Sequence, residues 1–188
     1  MPHNIRTTYN NLKEIDYDFK AEKFEFNSSV HSWKSEDAIV KNEVLPLEVA
    51  RGCIFKCKFC SYPLLGKKKG TYIRDMEEVR DEILQLWETK GTDSYYITDD
   101  TFNDDNDKME EFHKLFTSLP FKPKFSCFLR LDLIDRFPHQ ADLLLEAGLI
   151  GNFFGVETLN HKSGKAIGKG LHPDRIKERL SWVRDKWK

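Results

Sequence analysis

From residue 44 onward, strand-like runs of alternating apolar residues take turns with helix-like stripes of three/four spacing. Residues 44–50 read as a first strand running into Arg51, Gly52 and Cys53. After the cysteine-rich loop, Asp75 opens a helix. Glu78 stands three positions on, as in a capping box, and Met76, Val79, Ile83, Leu86 and Trp87 form the apolar stripe. Gly91 closes it. Residues 94–98 form a second strand leading to Asp99 and Asp100, and a second helix carries Met109, Phe112, Leu115, Phe116 and Leu119, stopping before Pro120.

Residues 125–134 read as a third strand. Phe125, Cys127, Leu129, Leu131 and Leu133 face one way, toward covering helices, so Cys127 reads as a core thiol. Arg130 and Asp132 sit side by side on the other face. A third helix near 140–147 ends at Gly148, and a fourth strand over 149–156 ends at Glu157. A fourth helix begins at Pro173, with Ile176, Leu180, Val183 and Trp187 as its stripe.

The order β-α-β-α-β-α-β-α is that of a parallel sheet with crossover helices. Right-handed crossovers put the helices on one side if the strand order is sequential, and the sheet then curls like part of a barrel. Function in such sheets sits at the C-terminal strand ends. The cysteine loop, Asp99–Asp100, Arg130 with Asp132, and Glu157 all fall there. Residues 1–43 are aromatic, charged and weakly patterned, and are expected to form a short N-terminal extension to a core over 44–188.

Composition narrows the class. A chain of 188 residues, 39% hydrophobic and 32% charged, suits one soluble core of ordinary size. No apolar run reaches the roughly 18–20 residues needed to cross a bilayer, and the N-terminus shows no secretory h-region, so a cytoplasmic location is expected and a membrane role is not. A net charge of −1 speaks against a nucleic-acid binder that works by bulk electrostatics.

The chemistry is concentrated in Cys53-Ile-Phe-Lys-Cys57-Lys-Phe-Cys60, a C-x₃-C-x₂-C run directly after a strand. Three thiolates on one short loop suit three irons of a cubane cluster. Soft thiolates also take zinc, with His31, His113 or His161 as a fourth ligand. Structural zinc usually employs two separated hooks, and no second hook is visible. Phe55 and Phe59 are placed to shield a cluster from water, and Lys56 and Lys58 to offset its charge.

The run Arg51-Gly52-Cys53 through Cys60-Ser61 resembles the signature loop of the radical S-adenosylmethionine (radical SAM) superfamily. The likeness continues in order. Residues 96–102 (YITDDTF) resemble a second-strand motif of its cobalamin-associated and methylthiotransferase-like branches, and 128–132 (FLRLD) their third-strand Arg-x-Asp motif. Residues 145–148 (LEAG) with 154–158 (FGVET), then 167–170 (IGKG), resemble the segments that follow. The resemblance implies a partial parallel (β/α) barrel, a 4Fe–4S cluster on Cys53, Cys57 and Cys60, and SAM chelated to the open iron and cleaved reductively to a 5′-deoxyadenosyl radical.

It also implies roles. Asp99 or Asp100 would contact the SAM amino group, against a helix-cap or turn role. Arg130 would pair with the SAM carboxylate, against an ion pair with Asp132. Glu157 would reach the ribose, and Tyr62 would lie near adenine. Lys67, Lys68 and Lys69 with Arg74 would dock an acidic electron donor of flavodoxin or ferredoxin type. The superfamily core usually has six β/α units and this chain supplies four. The fourth strand's open edge then calls for a partner chain, a second copy or the N-terminal segment to cover it. The alternative to an enzyme is a non-catalytic iron–sulfur or zinc-binding subunit, or a truncated half-barrel that needs a partner chain.

Overall fold

The computed structural model describes residues 26–60 and 72–188. Four parallel strands form one sheet in sequential order: β1 (Leu45–Leu47), β2 (Ser94–Ile97), β3 (Lys124–Leu129) and β4 (Leu149–Phe154). Between and after them run α1 (Met76–Lys90), α2 (Asn106–Ser118), α3 (Leu131–Arg136), α4 (Gln140–Glu146), α5 (His161–Ala166) and α6 (Pro173–Lys186). This is the partial (β/α) barrel that the alternating pattern predicts. Pro46 sits in β1, an edge strand, where its missing N–H costs no ladder bond on the outer side.

The helices cover one face. Tyr95, Ile97, Phe125, Cys127 and Leu129 share a buried cluster with Val79, Ile83 and Leu86 of α1, Phe112 and Phe116 of α2, and Val183 of α6. Phe112 stacks on Phe116 at 3.9 Å and meets Phe125 edge-on at 5.2 Å, which fixes α2 against the middle of the sheet. On the other face Tyr96, Phe128 and Phe153 form an aromatic row, with centroids 6.0 and 5.4 Å apart.

Two local expectations change. β3 stops at Leu129, and Leu131–Arg136 turns into a short helix with Arg130 at its N-cap. The alternation misled because Leu131 and Leu133 fit one strand face, whereas Leu131 and Ile134, both buried, lie one helical turn apart. Asp75 occupies the N-cap of α1, but its side chain makes no cap bond there. At the start of α2, by contrast, Asp105 does cap, accepting from the N–H groups of Asp107 and Lys108.

The described part of the N-terminal segment lies against β1 and α1, at the sheet edge opposite β4. Trp33 donates to Glu82 at 3.0 Å, and Arg74 donates to the Ser29 carbonyl at 3.0 Å. It therefore does not cover the β4 edge. No helix among the described residues is long and apolar enough to cross a membrane.

Candidate functional site: the cysteine loop and its two anchors

The loop leaves β1 under tight control. The backbone N–H groups of Val49 and Ala50 both donate to Asp99 Oδ1 at 2.9 Å. Asp99 lies just past β2 and is only 1% exposed. Its second oxygen faces Lys108 Nζ at 3.4 Å, and the same ammonium reaches Asp104 at 2.7 Å. Burial pushes the Asp99 carboxyl up to about 6, although Lys108 and the two backbone donors pull the other way. Burial likewise works to lower the Lys108 pKa, and Asp99 and Asp104 more than reverse it, so the ammonium stays charged.

The base of the loop is also closed on itself. Arg51 N–H donates to the Tyr72 carbonyl and Arg74 N–H to the Val49 carbonyl, each at 2.9 Å, around an antiparallel bridge between Ala50 and Ile73. Tyr72 Oη donates to Asp104 at 3.0 Å, which joins the returning chain to the Lys108 cluster. Cys53 is buried here, with its Sγ 3.3 Å from Thr101 Oγ1. Burial pushes the Cys53 thiol up.

Cys57 is held by different residues. Arg130, at the end of β3, donates from Nη1 to Cys57 Sγ at 3.3 Å. The rest of its guanidinium grips Asp132 through two bonds of 3.0 and 2.7 Å. Phe55 covers the group with its ring centroid 3.8 Å from Cζ. The Arg130 backbone is pinned in turn: its N–H donates to the Asn103 side chain at 2.8 Å, and the Asn103 amide donates to its carbonyl at 3.1 Å. On another side the turn after α5 approaches. Lys58 N–H donates to the Ile167 carbonyl at 3.1 Å. Gly168 adopts φ +86°, and a Cβ added there would lie 3.5 Å from Cys57 Cα. Cys60 N–H closes a turn on the Cys57 carbonyl at 3.0 Å.

None of Cys53, Cys57 and Cys60 is in a disulfide. Among the described residues, no three His, Cys, Asp or Glu side chains gather closely enough to hold a single metal ion, so the three-cysteine-plus-histidine zinc arrangement is absent among them. His113 instead bonds Glu146 at 2.8 Å, and His161 packs on His172. A cubane asks for something else. Each cysteine ligates a different iron, so the sulfurs must surround a cube rather than converge on a point. Three soft donors outside any disulfide on one loop, with a guanidinium beside the middle one, fit such an anionic cluster.

The other predicted residues fall as follows. Both Asp99 oxygens have partners inside the fold, and neither is on a helix cap, so Asp100 is the solvent-facing carboxylate of the pair. Partial burial, then the Glu48 carboxylate, raises the Asp100 pKa. Arg130 is ion-paired with Asp132 at 2.7 Å. Glu157 sits just past β4 in a left-handed conformation at φ +64°, with its carboxylate 3.8 Å from Lys169 Nζ. Lys169 also donates to the Gly155 carbonyl at 2.8 Å. Asp132, Gly155, Val156 and Lys169 line an open cleft beside it.

Phe59 is 54% exposed, whereas Phe55 is half-buried under Arg130. Arg74 cannot dock a donor, because it is 1% exposed and its guanidinium is paired with Glu82 at 2.7 Å. Tyr62 and Lys67–Lys69 lie outside the described residues.

Sequence reasoning passed over Lys108 and Thr101. Lys108 stands one turn before Phe112 on the buried stripe of α2, and a charge at a stripe position was the available signal.

Comparison with known proteins follows this geometry closely. The family profile described as the radical SAM superfamily matches residues 47–188, and the chain belongs to that superfamily. It is 28% identical over 149 residues to cytidylyl-2-hydroxyethylphosphonate methyltransferase of Streptomyces wedmorensis, covering 77% of this chain and 27% of that protein. Among solved structures, the cobalamin-dependent S-adenosylmethionine radical enzyme OxsB, with aqua-cobalamin and S-adenosylmethionine bound, superposes with a TM-score of 0.61. The identity is 21%, over 76% of this chain and 22% of OxsB. The radical S-adenosylmethionine methyltransferase TsrM of Kitasatospora setae gives 0.60 at 19% identity, over 78% of this chain and 29% of TsrM. The two structures share the fold, and the chain spans less than a third of the length of each relative.

Proposed function

We propose that Cys53, Cys57 and Cys60 ligate three irons of a 4Fe–4S cluster and that the chain cleaves SAM reductively. The observation that carries this is three cysteines outside any disulfide on one loop at the C-terminal end of β1, in a chain of the radical SAM superfamily. When bound, such a cluster supplies the electron that breaks the S–C5′ bond of SAM, giving methionine and a 5′-deoxyadenosyl radical. The protein's part is binding and exclusion of water. Asp100 is the exposed carboxylate suited to the SAM amino group, and Glu157 the one suited to the ribose hydroxyls. Tyr62 is the residue proposed to contact adenine. Asp99 and Arg130 serve the loop itself.

The electron would come from an acidic carrier of flavodoxin or ferredoxin type meeting the exposed Lys56 and Lys58. Methyl transfer is the reaction class to test first, because the curated relative is a methyltransferase by name. The test is anaerobic reconstitution, iron and sulfide analysis, then assay of 5′-deoxyadenosine with dithionite and SAM. Cleavage well above that of Cys57→Ala is expected. A loaded protein that cleaves no more SAM than the variant defeats the enzyme reading and leaves a non-catalytic cluster-binding subunit.

A further inference from the structure

We propose that Arg130 is a positioning and tuning residue for the cluster: its Nη1–H···Sγ bond to Cys57 holds the middle cysteine and raises the reduction potential, and Asp132 sets the size of that effect. The inference rests on the cluster reading above and goes beyond it, since nothing in ligation by three cysteines requires a cation at one of them.

Four observations carry it. The bond is 3.3 Å long and joins residues 73 positions apart, so local chain geometry does not produce it. The guanidinium has little freedom to point elsewhere: two bonds to Asp132 fix its plane, and Phe55 caps one face. Its side chain is 7% exposed, so water does little to screen it. The backbone that presents it is tied on both sides to the buried amide of Asn103. A donor held this firmly against a ligating sulfur draws negative charge from the cluster and favours the state with one more electron. Asp132 acts in the opposite sense. Its carboxylate offsets the guanidinium charge and lowers what the cation would otherwise do.

The two partners therefore make opposite predictions. Replacing Arg130 removes the donor and the cation, and makes the cluster harder to reduce. Replacing Asp132 by its neutral isostere leaves the donor in place with its charge less offset, and makes the cluster easier to reduce. Loss of packing alone would move both variants the same way.

The experiment uses the full chain, reconstituted anaerobically, in equilibrium with reference dyes of known potential, with the reduced cluster read by electron paramagnetic resonance. For Arg130→Met the ratio of reduced to oxidised cluster at a fixed potential is expected to fall roughly tenfold, which is about 59 mV for a one-electron couple. For Asp132→Asn the ratio is expected to rise roughly threefold. Arg130→Lys, which keeps the charge but not the fork, is expected to fall between wild type and Arg130→Met. Iron and sulfide contents are measured alongside. A wild-type chain that takes up no cluster overturns the cluster reading, and this inference with it. A loaded wild type whose variants share its potential, or shift together in one direction, overturns this inference alone. Should Arg130→Met fail to retain a cluster, Asp132→Asn decides: a rise supports the proposal, and no change sinks it.

Discussion

The loop is gripped at Cys53 and at Cys57 in two contrasting ways. The Cys53 side rests on Asp99, Lys108 and Asp104, whose side chains are almost wholly withdrawn from water and satisfy one another and the backbone of β1. The Cys57 side rests on the buried Arg130, which donates to the sulfur, on Phe55 stacked over that guanidinium, and on the turn at Gly168 beside the Cys57 backbone. The first arrangement couples the site to folding. The second sets where one sulfur points, at little cost to the fold as a whole.

The largest blow to this contrast comes from Lys108→Met. It leaves Asp99 and Asp104 buried without their shared cation, and should destabilise the fold by about 3–5 kcal/mol, read as a lower denaturation midpoint in urea. A similar loss from Arg130→Met would erase the distinction between the two sides.

The second prediction uses pH. The folded Asp99 carboxyl is pushed up to about 6, above its ordinary value near ~3.9. The folded state then holds more protons than the unfolded one between those values, so the Asp99 contribution to stability is greatest below ~pH 4 and declines as pH rises through about 6. Asp99→Asn removes that decline, and the wild-type-minus-variant stability difference should fall across this window. A flat difference would place Asp99 outside the buried cluster.

Gly168→Ala probes the other side. Its φ of +86° makes any side chain strained, by about 1–2 kcal/mol, which corresponds to a fall of roughly 2–8 °C in Tm. The smallest effect should come from Phe55→Leu. Losing the stacked ring costs about 0.5–1 kcal/mol locally, so urea unfolding should barely move while iron is lost faster to a chelator. Unfolding and iron loss shifting in proportion would merge the two sides into one.

The sheet was legible because its strands alternate cleanly: Phe125, Cys127 and Leu129 declared a buried face, and the helix stripes declared their own period. The same alternation hid α3, since Leu131 and Leu133 keep the strand spacing while Leu131 and Ile134 keep the helical one. The three cysteines were legible from spacing, whereas their anchors were not. Asp99 lies 50 positions from Val49 and Arg130 lies 73 from Cys57, and no periodicity links residues that far apart. Arg130 and Asp132 were expected as neighbours on a strand face, and they meet instead across the first turn of a helix. Arg74 looked like a surface charge because it follows a lysine run, but burial depends on what packs over a residue, and here Glu82, Ser29 and Glu48 do.

The bridge between Ala50 and Ile73 has a consequence for how this site can change over time. With Arg51 and Tyr72 already tied, the chain between Cys60 and Tyr72 begins and ends at fixed points, and lengthening it only enlarges a ring whose mouth is set. Doubling such a span costs about 0.6 kcal/mol in closure entropy. A change in the number of residues between Cys60 and Tyr72 therefore leaves the bridge, the spacing from Cys53 to Cys60 and the strands beneath as they are.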